Sequence, residues 1–285
     1  MDSRQVKDKI QVLEQKTLQI KRAVLDVFEK GHSGHIASSY SCAELLTALF
    51  YGDVMRFDPA NPKWDGRDRF LMSKGHAGII YYTILADLGY FPKAELNKFA
   101  QAGGKLGVHV HTSVPGVEAN SGSLASGFGV AVGMALAAKL DMKNHLVFAL
   151  LGDGECYEGA VWESALCASG KHLNNLIVIV DHNHMCCSGF IADNLPNEPL
   201  DEKWRAFGFE VLNINGHDLA QIMDALSGIR CRKTDRPICI IADTVKAHGL
   251  TSVENTPLCH GFAPIKPEIM ERSRKELDCG RGDVQ

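Results

Sequence analysis

The chain has 285 residues, with 34 acidic and 30 basic side chains and a formal net charge of −4. Its hydrophobic fraction of 45% and charged fraction of 22% are typical of a folded globular protein and exclude a disordered chain. The mildly acidic charge gives no reason to expect a nucleic acid or an anionic membrane surface as a partner. The longest apolar stretch ends at Lys139 and is too short to span a bilayer, and the first residues are too polar for a signal peptide. These features predict a cytoplasmic protein.

The first part of the chain reads mainly as helices. Apolar residues at helical spacing predict an amphipathic helix that ends near Gly31. A second helix is predicted over about 41–51, with Ser41 as its N-cap and Glu44 completing a capping box. Residues 52–72 form a loop that leads to a short strand at Phe70–Met72. Further helices are predicted over 78–88, 93–100 and 127–140.

From residue 145 the pattern changes to short apolar runs separated by helical stretches. The predicted strands are 146–151, 176–180, 209–214 and 238–242, and the helices between them are 159–169, 202–207 and 219–229. This alternation predicts βαβ units, and therefore an α/β fold with an open, mainly parallel sheet covered by helices on both faces. Residues 1–270 are interpreted as a single domain and residues 271–285 as a polar tail.

A glycine–aspartate–glycine triplet, Gly152-Asp153-Gly154, directly follows the first of these strands. Ligands of open parallel sheets bind beyond the carboxyl ends of the strands, where this triplet lies. Glycines let the backbone approach a phosphate, and the N–H groups that begin the next helix favour an anion. Because the aspartate would repel a phosphate directly, the triplet favours a divalent cation between the two; a turn that only caps a helix is the alternative.

Asn183 provides a second oxygen ligand for such a cation. It follows Asp153 by 30 residues, about one strand–helix–strand unit, and stands just after the strand 176–180. Adjacent parallel strands would place the Asp153 carboxylate beside the side-chain oxygen of Asn183. Hard oxygen ligands of this kind suit Mg²⁺ or Ca²⁺, with diphosphate oxygens and water completing the coordination.

This pair resembles the thiamine-diphosphate-binding motif, in which an asparagine follows G-D-G at this spacing. Other segments resemble the transketolase family in order and spacing, over residues 20 to 262. They are Gly31–His35, Asp68–His76, Pro115–Glu118 with Gly122–Gly127, and Glu254-Asn255 with His260-Gly261. The chain departs from the family pattern at Ile36-Ala37, Ala125, Ser126, Ala247, His248 and Cys259.

The resemblance implies a thiamine-diphosphate-binding fold and a set of site residues. Asp153, Asn183 and the main-chain carbonyl of Met185 would hold Mg²⁺ or Ca²⁺, and the glycines of the triplet, Gly152 and Gly154, would contact the diphosphate.

Three more positions are implied at the cofactor. The backbone at Gly122 and Leu124 would meet the aminopyrimidine, and Gly122 suits such a close approach because it lacks a Cβ atom. Glu158 would lie at the interface with a partner chain; an exposed first-turn glutamate, favoured by the helix dipole, is the alternative.

Four histidines fall on family positions that line the substrate channel: His35, His76, His109 and His260. Imidazoles suit proton transfer to and from sugar hydroxyls near neutral pH. His111 takes the place of His109 if the loop carries a small gap.

The resemblance covers only the diphosphate-binding half of a transketolase, and too few residues follow position 262 for a pyrimidine domain. We therefore expect the N-terminal subunit of a split transketolase, active only with a separate pyrimidine-binding subunit, as an α2β2 heterotetramer. It would transfer a two-carbon ketol unit from a ketose, usually phosphorylated, to an aldose. The alternatives are the α subunit of a 2-oxo acid dehydrogenase or decarboxylase, and a catalytically silent scaffold.

Overall fold

The computed structural model describes residues 3–257 and 267–279. Its strands are, in chain order, β1 (Arg69–Met72), β2 (Val147–Gly152), β3 (Leu176–His182), β4 (Met185–Cys186), β5 (Gly189–Phe190), β6 (Glu210–Asn215) and β7 (Ile238–Asp243). Five of them form a parallel sheet in the order β1-β2-β3-β7-β6, and β4 and β5 form a separate antiparallel pair. The predicted α/β fold with a parallel sheet is confirmed.

Ten α-helices surround the sheet in the described part of the chain. They are α1 (Ser3–Gly31), α2 (Ile36–Ser41), α3 (Ala43–Tyr51), α4 (Gly78–Leu88), α5 (Ser126–Leu140), α6 (Gly159–Gly170), α7 (Ile191–Asn194), α8 (Leu200–Ala206), α9 (Leu219–Ser227) and α10 (Pro267–Cys279). None of these described helices is long and apolar enough to cross a membrane.

Alternate residues of each central strand belong to two hydrophobic cores. On β2, Phe148 and Leu150 pack with α1, α3, α4 and α9, while Val147, Ala149 and Leu151 pack with α5, α6 and α8. Because side chains alternate across a strand, a strand that is apolar throughout is buried on both faces. The sheet therefore has helices on both sides, and its carboxyl edge is left for ligands.

The predicted capping box at Ser41 is wrong. Ser41 is the last residue of α2, and its hydroxyl donates to Asp181 Oδ2 at 2.6 Å. Glu44 instead accepts a hydrogen bond from the buried ammonium of Lys21 at 2.6 Å. Both side chains bind partners that are distant in the chain. These partners lie nearby only because of the way α1 packs with the sheet.

Part of the segment that was predicted to be a polar tail is helical. Pro267–Cys279 forms α10, which buries Met270 and Leu277 against the rest of the molecule. Arg22 donates to the main-chain oxygen of Leu277 at 2.7 Å, and Arg274 pairs with Asp26 at 2.5 Å. The segment is polar because α10 buries only one of its faces, on α1. The division into one domain and a tail at residue 270 stays a prediction.

Candidate active site

A cavity of about 390 Å³ opens beyond the carboxyl ends of β1, β2, β3 and β7. Most of the predicted site residues line it, namely His76, Leu124, Gly152, Asp153, Gly154, Glu158, Asn183 and Met185. Residues outside the predicted site set also line it, namely Lys74, Tyr157, Cys186, Cys187, Ser188, Asn194, Leu195 and Lys246. The parallel sheet thus gathers at one edge groups that lie far apart in the chain.

Asp153 lies at the end of β2 and is 2% exposed. Its carboxylate accepts hydrogen bonds from the N–H of Gly154 at 2.7 Å and from the N–H of His184 at 2.5 Å. Burial and the neighbouring Asp181 carboxylate raise the pKa of Asp153 to about 7. The two main-chain donors aim the carboxylate, and its raised pKa reflects negative charge that a cation would compensate.

Asn183 is oriented by a second aspartate. Its amide nitrogen donates to Asp181 Oδ2 at 3.1 Å, while its amide oxygen accepts from the N–H of Met185 at 3.2 Å. An ionised carboxylate can only accept hydrogen bonds. The amide nitrogen of Asn183 therefore faces Asp181, and its amide oxygen faces away. Sequence reasoning missed this role of Asp181, which is fully buried at the end of β3.

The residues present fit a magnesium ion. The Asp153 carboxylate, the Asn183 amide oxygen and the Met185 carbonyl are all hard oxygen donors, as Mg²⁺ prefers. A Cβ atom built on Gly154 would lie 3.8 Å from the Met185 carbonyl oxygen and 3.1 Å from Cys186 Cβ, so the glycine keeps the triplet and the 183–186 loop close together.

Two lysines line the same cavity. Lys74, which follows β1, is buried, pairs with Asp181 and donates to the main-chain oxygen of Ser38 at 3.0 Å. Burial opposes its charge, yet Asp181 raises the pKa of Lys74. Burial and Lys74 lower the pKa of Lys246 to about 8. The charge of Lys74 is balanced by Asp181, whereas Lys246 places an amine beside the oxygen-donor set, which suits a diphosphate.

Glu155 is a further residue that the sequence did not reveal. It is buried, and one carboxylate oxygen accepts from the Ser73 hydroxyl at 2.5 Å and from the N–H of Ala125 at 2.8 Å. The other accepts from the N–H of Gly152 at 3.1 Å. One carboxylate therefore ties together the ends of β1 and β2 and the start of α5. Its only signal in the sequence was an acidic residue directly after the triplet.

Three of the four predicted histidines come together. The ring of His35 lies 5.1 Å from that of His76 and 6.1 Å from that of His109, centroid to centroid. His76 reaches the cavity, whereas His111 is exposed and hydrogen-bonded to Ser113 at 3.0 Å. The grouping favours His109 over His111. His260 lies outside the described residues.

Two further predicted contact residues, Gly122 and Glu158, are exposed. Gly122 is exposed, and the preceding Ser121 packs so closely on Gly75 that a Cβ atom there would overlap its hydroxyl. This contact holds the Gly122 loop beside His76. Glu158 is exposed at the N-cap position of α6, on the edge of the cavity.

Comparison with known proteins identifies this arrangement. Residues 13–280 match the family profile described as the thiamine diphosphate binding domain of transketolase. The chain belongs to the transketolase family. A 6-deoxy-6-sulfo-D-fructose transketolase subunit of Clostridium sp. (strain MSTE9) is 37% identical over 260 residues, which span 91% of this chain and 94% of that subunit.

Two further transketolases define how much of such an enzyme this chain represents. An apulose-4-phosphate transketolase subunit of Actinobacillus succinogenes is 38% identical and matches over 93% of this chain and 95% of that subunit. The crystal structure of transketolase from Campylobacter jejuni superposes with a TM-score of 0.88 at 33% identity. There the match covers 94% of this chain but 43% of the solved one. The chain therefore has the extent of a transketolase subunit and represents the cofactor-binding domain.

Proposed function

We propose that this chain is the N-terminal subunit of a two-component transketolase that is active only with a separate pyrimidine-binding subunit. The observation that carries the proposal is the match with two transketolase subunits over nearly their whole length, against 43% of a solved transketolase. The transketolase relatives also disfavour the α subunit of a 2-oxo acid dehydrogenase. The buried oxygen donors of Asp153 and Asn183, each oriented by hydrogen bonds, disfavour a silent scaffold.

In this proposal, Asp153, Asn183 and Met185 hold Mg²⁺, and Lys246 supplies charge for the diphosphate of thiamine diphosphate. When bound, this cofactor supplies the carbanion stabilisation that ketol transfer needs. Gly122 and Leu124 border the aminopyrimidine. Ca²⁺ is an alternative occupant of the same oxygen donors.

The histidines would handle protons on the sugar hydroxyls. His76 lines the cavity and lies beside His35, which in turn lies beside His109. His260 is assigned to the same role on its motif position alone. General acid–base catalysis by a positioned imidazole contributes about 10²- to 10⁴-fold to a rate. We expect His76→Ala to lower kcat within that range while thiamine diphosphate still binds.

The substrates are proposed to be a ketose and an aldose, with a two-carbon ketol unit passing between them. The names of two subunit relatives specify a sulfonated and a phosphorylated sugar. An anionic ketose is therefore the proposed donor class.

The partner is proposed to be a pyrimidine-binding subunit in an α2β2 heterotetramer. Glu158 at the cavity rim and an exposed apolar surface on α5 and α6, which includes Val130 and Leu166, support an interface on this side of the molecule. A cytoplasmic location stays a prediction.

The proposal is tested by mixing the purified chain with the product of a neighbouring gene that encodes a pyrimidine domain, Mg²⁺ and thiamine diphosphate. Ketol transfer from a phosphorylated or sulfonated ketose to an aldose is expected from the mixture and from neither chain alone. Activity of this chain alone would overturn the two-component proposal. Turnover of pyruvate with an artificial electron acceptor, without ketol transfer, would instead support the dehydrogenase alternative.

A further inference from the structure

Two histidines and an aspartate form a cluster outside the oxygen-donor site, where β3 and β7 end. One ring nitrogen each of His182 and His184 and one carboxylate oxygen of Asp243 lie within 4.8 Å of one another. His182 and Asp243 are register partners in the parallel pairing of β3 with β7, so the sheet itself places them side by side.

The chain turns to bring the second imidazole to the same point. His184 has a left-handed backbone conformation, with φ of 61°, and its ring lies 4.1 Å from that of His182. Its Nε2 atom is 2.7 Å from Asp243 Oδ1. His182 Nε2 is 2.7 Å from Glu198 Oε1, so a second carboxylate borders the cluster.

The cluster is anchored on one side and open to solvent on the other. The side chain of His182 is 11% exposed, whereas those of His184 and Asp243 are 52% and 71% exposed. An ion can therefore enter from solvent and meet ligands whose positions are set by strand pairing.

The ligand chemistry differs from that of the magnesium site. Two imidazoles with one carboxylate form a set typical of Zn²⁺, which takes three protein ligands and leaves a fourth position for water or another group. Mg²⁺ and Ca²⁺ prefer oxygen donors alone. We propose that His182, His184 and Asp243 form a Zn²⁺ site, with Glu198 or water in the fourth position, independent of the proposed transketolase function.

A second cluster of similar composition already contains a positively charged side chain. Glu44, His217 and His248 also place their ligand atoms within 4.8 Å. There, however, the Lys21 ammonium lies 2.6 Å from Glu44 Oε1, and His217 Nε2 accepts the N–H of Val245 at 2.8 Å. The lysine already supplies the positive charge that a metal would bring. At His182 and His184, by contrast, the Nε2 atom of each ring lies 2.7 Å from a carboxylate oxygen, that of Glu198 and that of Asp243 respectively.

The test measures zinc binding by the full chain, prepared without a histidine tag and with excess Mg²⁺ to fill the oxygen-donor site. Calorimetric titration with Zn²⁺ and elemental analysis after dialysis are expected to give one zinc per chain. His184→Asn should weaken this binding about 100-fold or more. Asparagine suits the variant because it tolerates the left-handed conformation.

His172→Asn is the matched control. His172 also has a positive φ, of 51°, and lies 3.4 Å from a carboxylate oxygen of Asp235, but the pair has a single imidazole. It should bind zinc like the unchanged chain. His182→Asn and Asp243→Asn provide second and third tests if His184→Asn does not fold, as judged by circular dichroism.

Three results would overturn the proposal. One is a chain that binds no zinc. Another is zinc that survives in all three variants of the cluster. The last is zinc lost from Cys186→Ser with Cys187→Ser but kept in the histidine variants, which would mean thiolate ligation instead. Because none of these readouts uses ketol transfer, failure here leaves the proposed enzymatic function untouched, and the reverse also holds.

Discussion

At the residue scale, Asp153 combines a buried carboxylate, two main-chain donors and a second carboxylate nearby. An ionised Asp153 places a negative charge in the protein interior, and the surrounding residues compensate this charge only partly. The pKa of Asp153 is therefore raised to about 7. Asp181, by contrast, is neutralised by Lys74, and burial is outweighed so that its pKa is lowered. The two aspartates therefore have different roles: Asp153 is placed to bind a cation, whereas Asp181 has a structural role.

We expect Asp153→Asn to weaken Mg²⁺-dependent binding of thiamine diphosphate by about 100-fold or more, since one anionic ligand is lost. Calorimetric titration of the chain together with its partner subunit measures this. Asp193→Asn, at an exposed aspartate of α7, is the control and should bind normally. Equal binding by both variants would remove Asp153 from the metal site.

At the element scale, α5 begins directly against the loop that follows β1. A Cβ atom built on Gly127 would lie 2.8 Å from the Cα atom of Ser73, and the Ser73 hydroxyl accepts the N–H of Phe128 at 3.0 Å. The same hydroxyl donates to Glu155. The start of α5 is thus set by contact with the cofactor edge of the sheet, and a larger residue must push the two apart.

Gly127→Ala is expected to destabilise the chain by about 1–3 kcal/mol because it overpacks this contact. Gly133→Ala lies in the same helix, where a Cβ atom meets no described atom within 4 Å. It should stabilise the chain by about 0.5–1 kcal/mol, since alanine favours the helix. Urea denaturation of the two variants gives both values, and changes of the same sign would contradict the packing argument.

The junction of α1, α3 and the loop after β7 contains a second buried charge network. Burial opposes ionisation of Glu44, but Lys21 and hydrogen bonds from His217 and His248 hold its pKa well below the usual 4.5. The unfolded chain therefore binds a proton near pH 4.5 that the folded chain does not. Stability from this group is present above that pH and is lost as the pH falls below it.

Glu44→Gln should lower the free energy of unfolding at pH 7 by about 3–5 kcal/mol, because Lys21 loses its buried counter-charge. It should also flatten the loss of stability between about pH 4.5 and the lower pKa of the folded protein. Denaturation curves at a series of pH values measure both effects. Glu271→Gln, at a fully exposed glutamate paired with Lys275, should change neither. An unchanged acid slope in Glu44→Gln would refute the assignment.

At the scale of the whole molecule, α5 and α6 pack on each other and leave apolar and small side chains exposed. Val130 is 41% and Leu166 64% exposed, and Gly129, Gly133 and Cys167 are also exposed. Glu158, which lines the cavity, directly precedes α6. An apolar patch that borders a ligand site is typical of a subunit interface.

Leu166→Glu is expected to block or weaken assembly with the partner subunit, because a charge would be buried in the interface. Met142→Glu is the control, since Met142 is 93% exposed beyond the end of α5. Light scattering during size-exclusion chromatography of each chain mixed with the partner measures the assembled mass. A heterotetramer of normal mass from Leu166→Glu would place the interface elsewhere.

The sequence by itself determined the sheet and the core of the proposed metal site. Strands β2 and β3 are continuous apolar runs one βαβ unit apart, so parallel pairing had to bring Asp153 and Asn183 to the same edge. Their chemistry followed from residue type alone. The helices α1 and α5 could also be predicted from the spacing of their apolar residues, because each helix buries one face in an apolar core.

The tertiary structure decided the contacts between residues far apart in the chain. Lys74 pairs with Asp181 across 107 residues, and Lys21 lies 227 residues before His248. Ser41 donates to Asp181 rather than capping α3, and Glu155 joins the ends of β1 and β2 to the start of α5. No local sequence pattern predicts such pairs, because the packing of helices and strands decides which groups lie beside a buried charge. Periodicity in the chain determines elements, whereas burial determines which polar groups must meet.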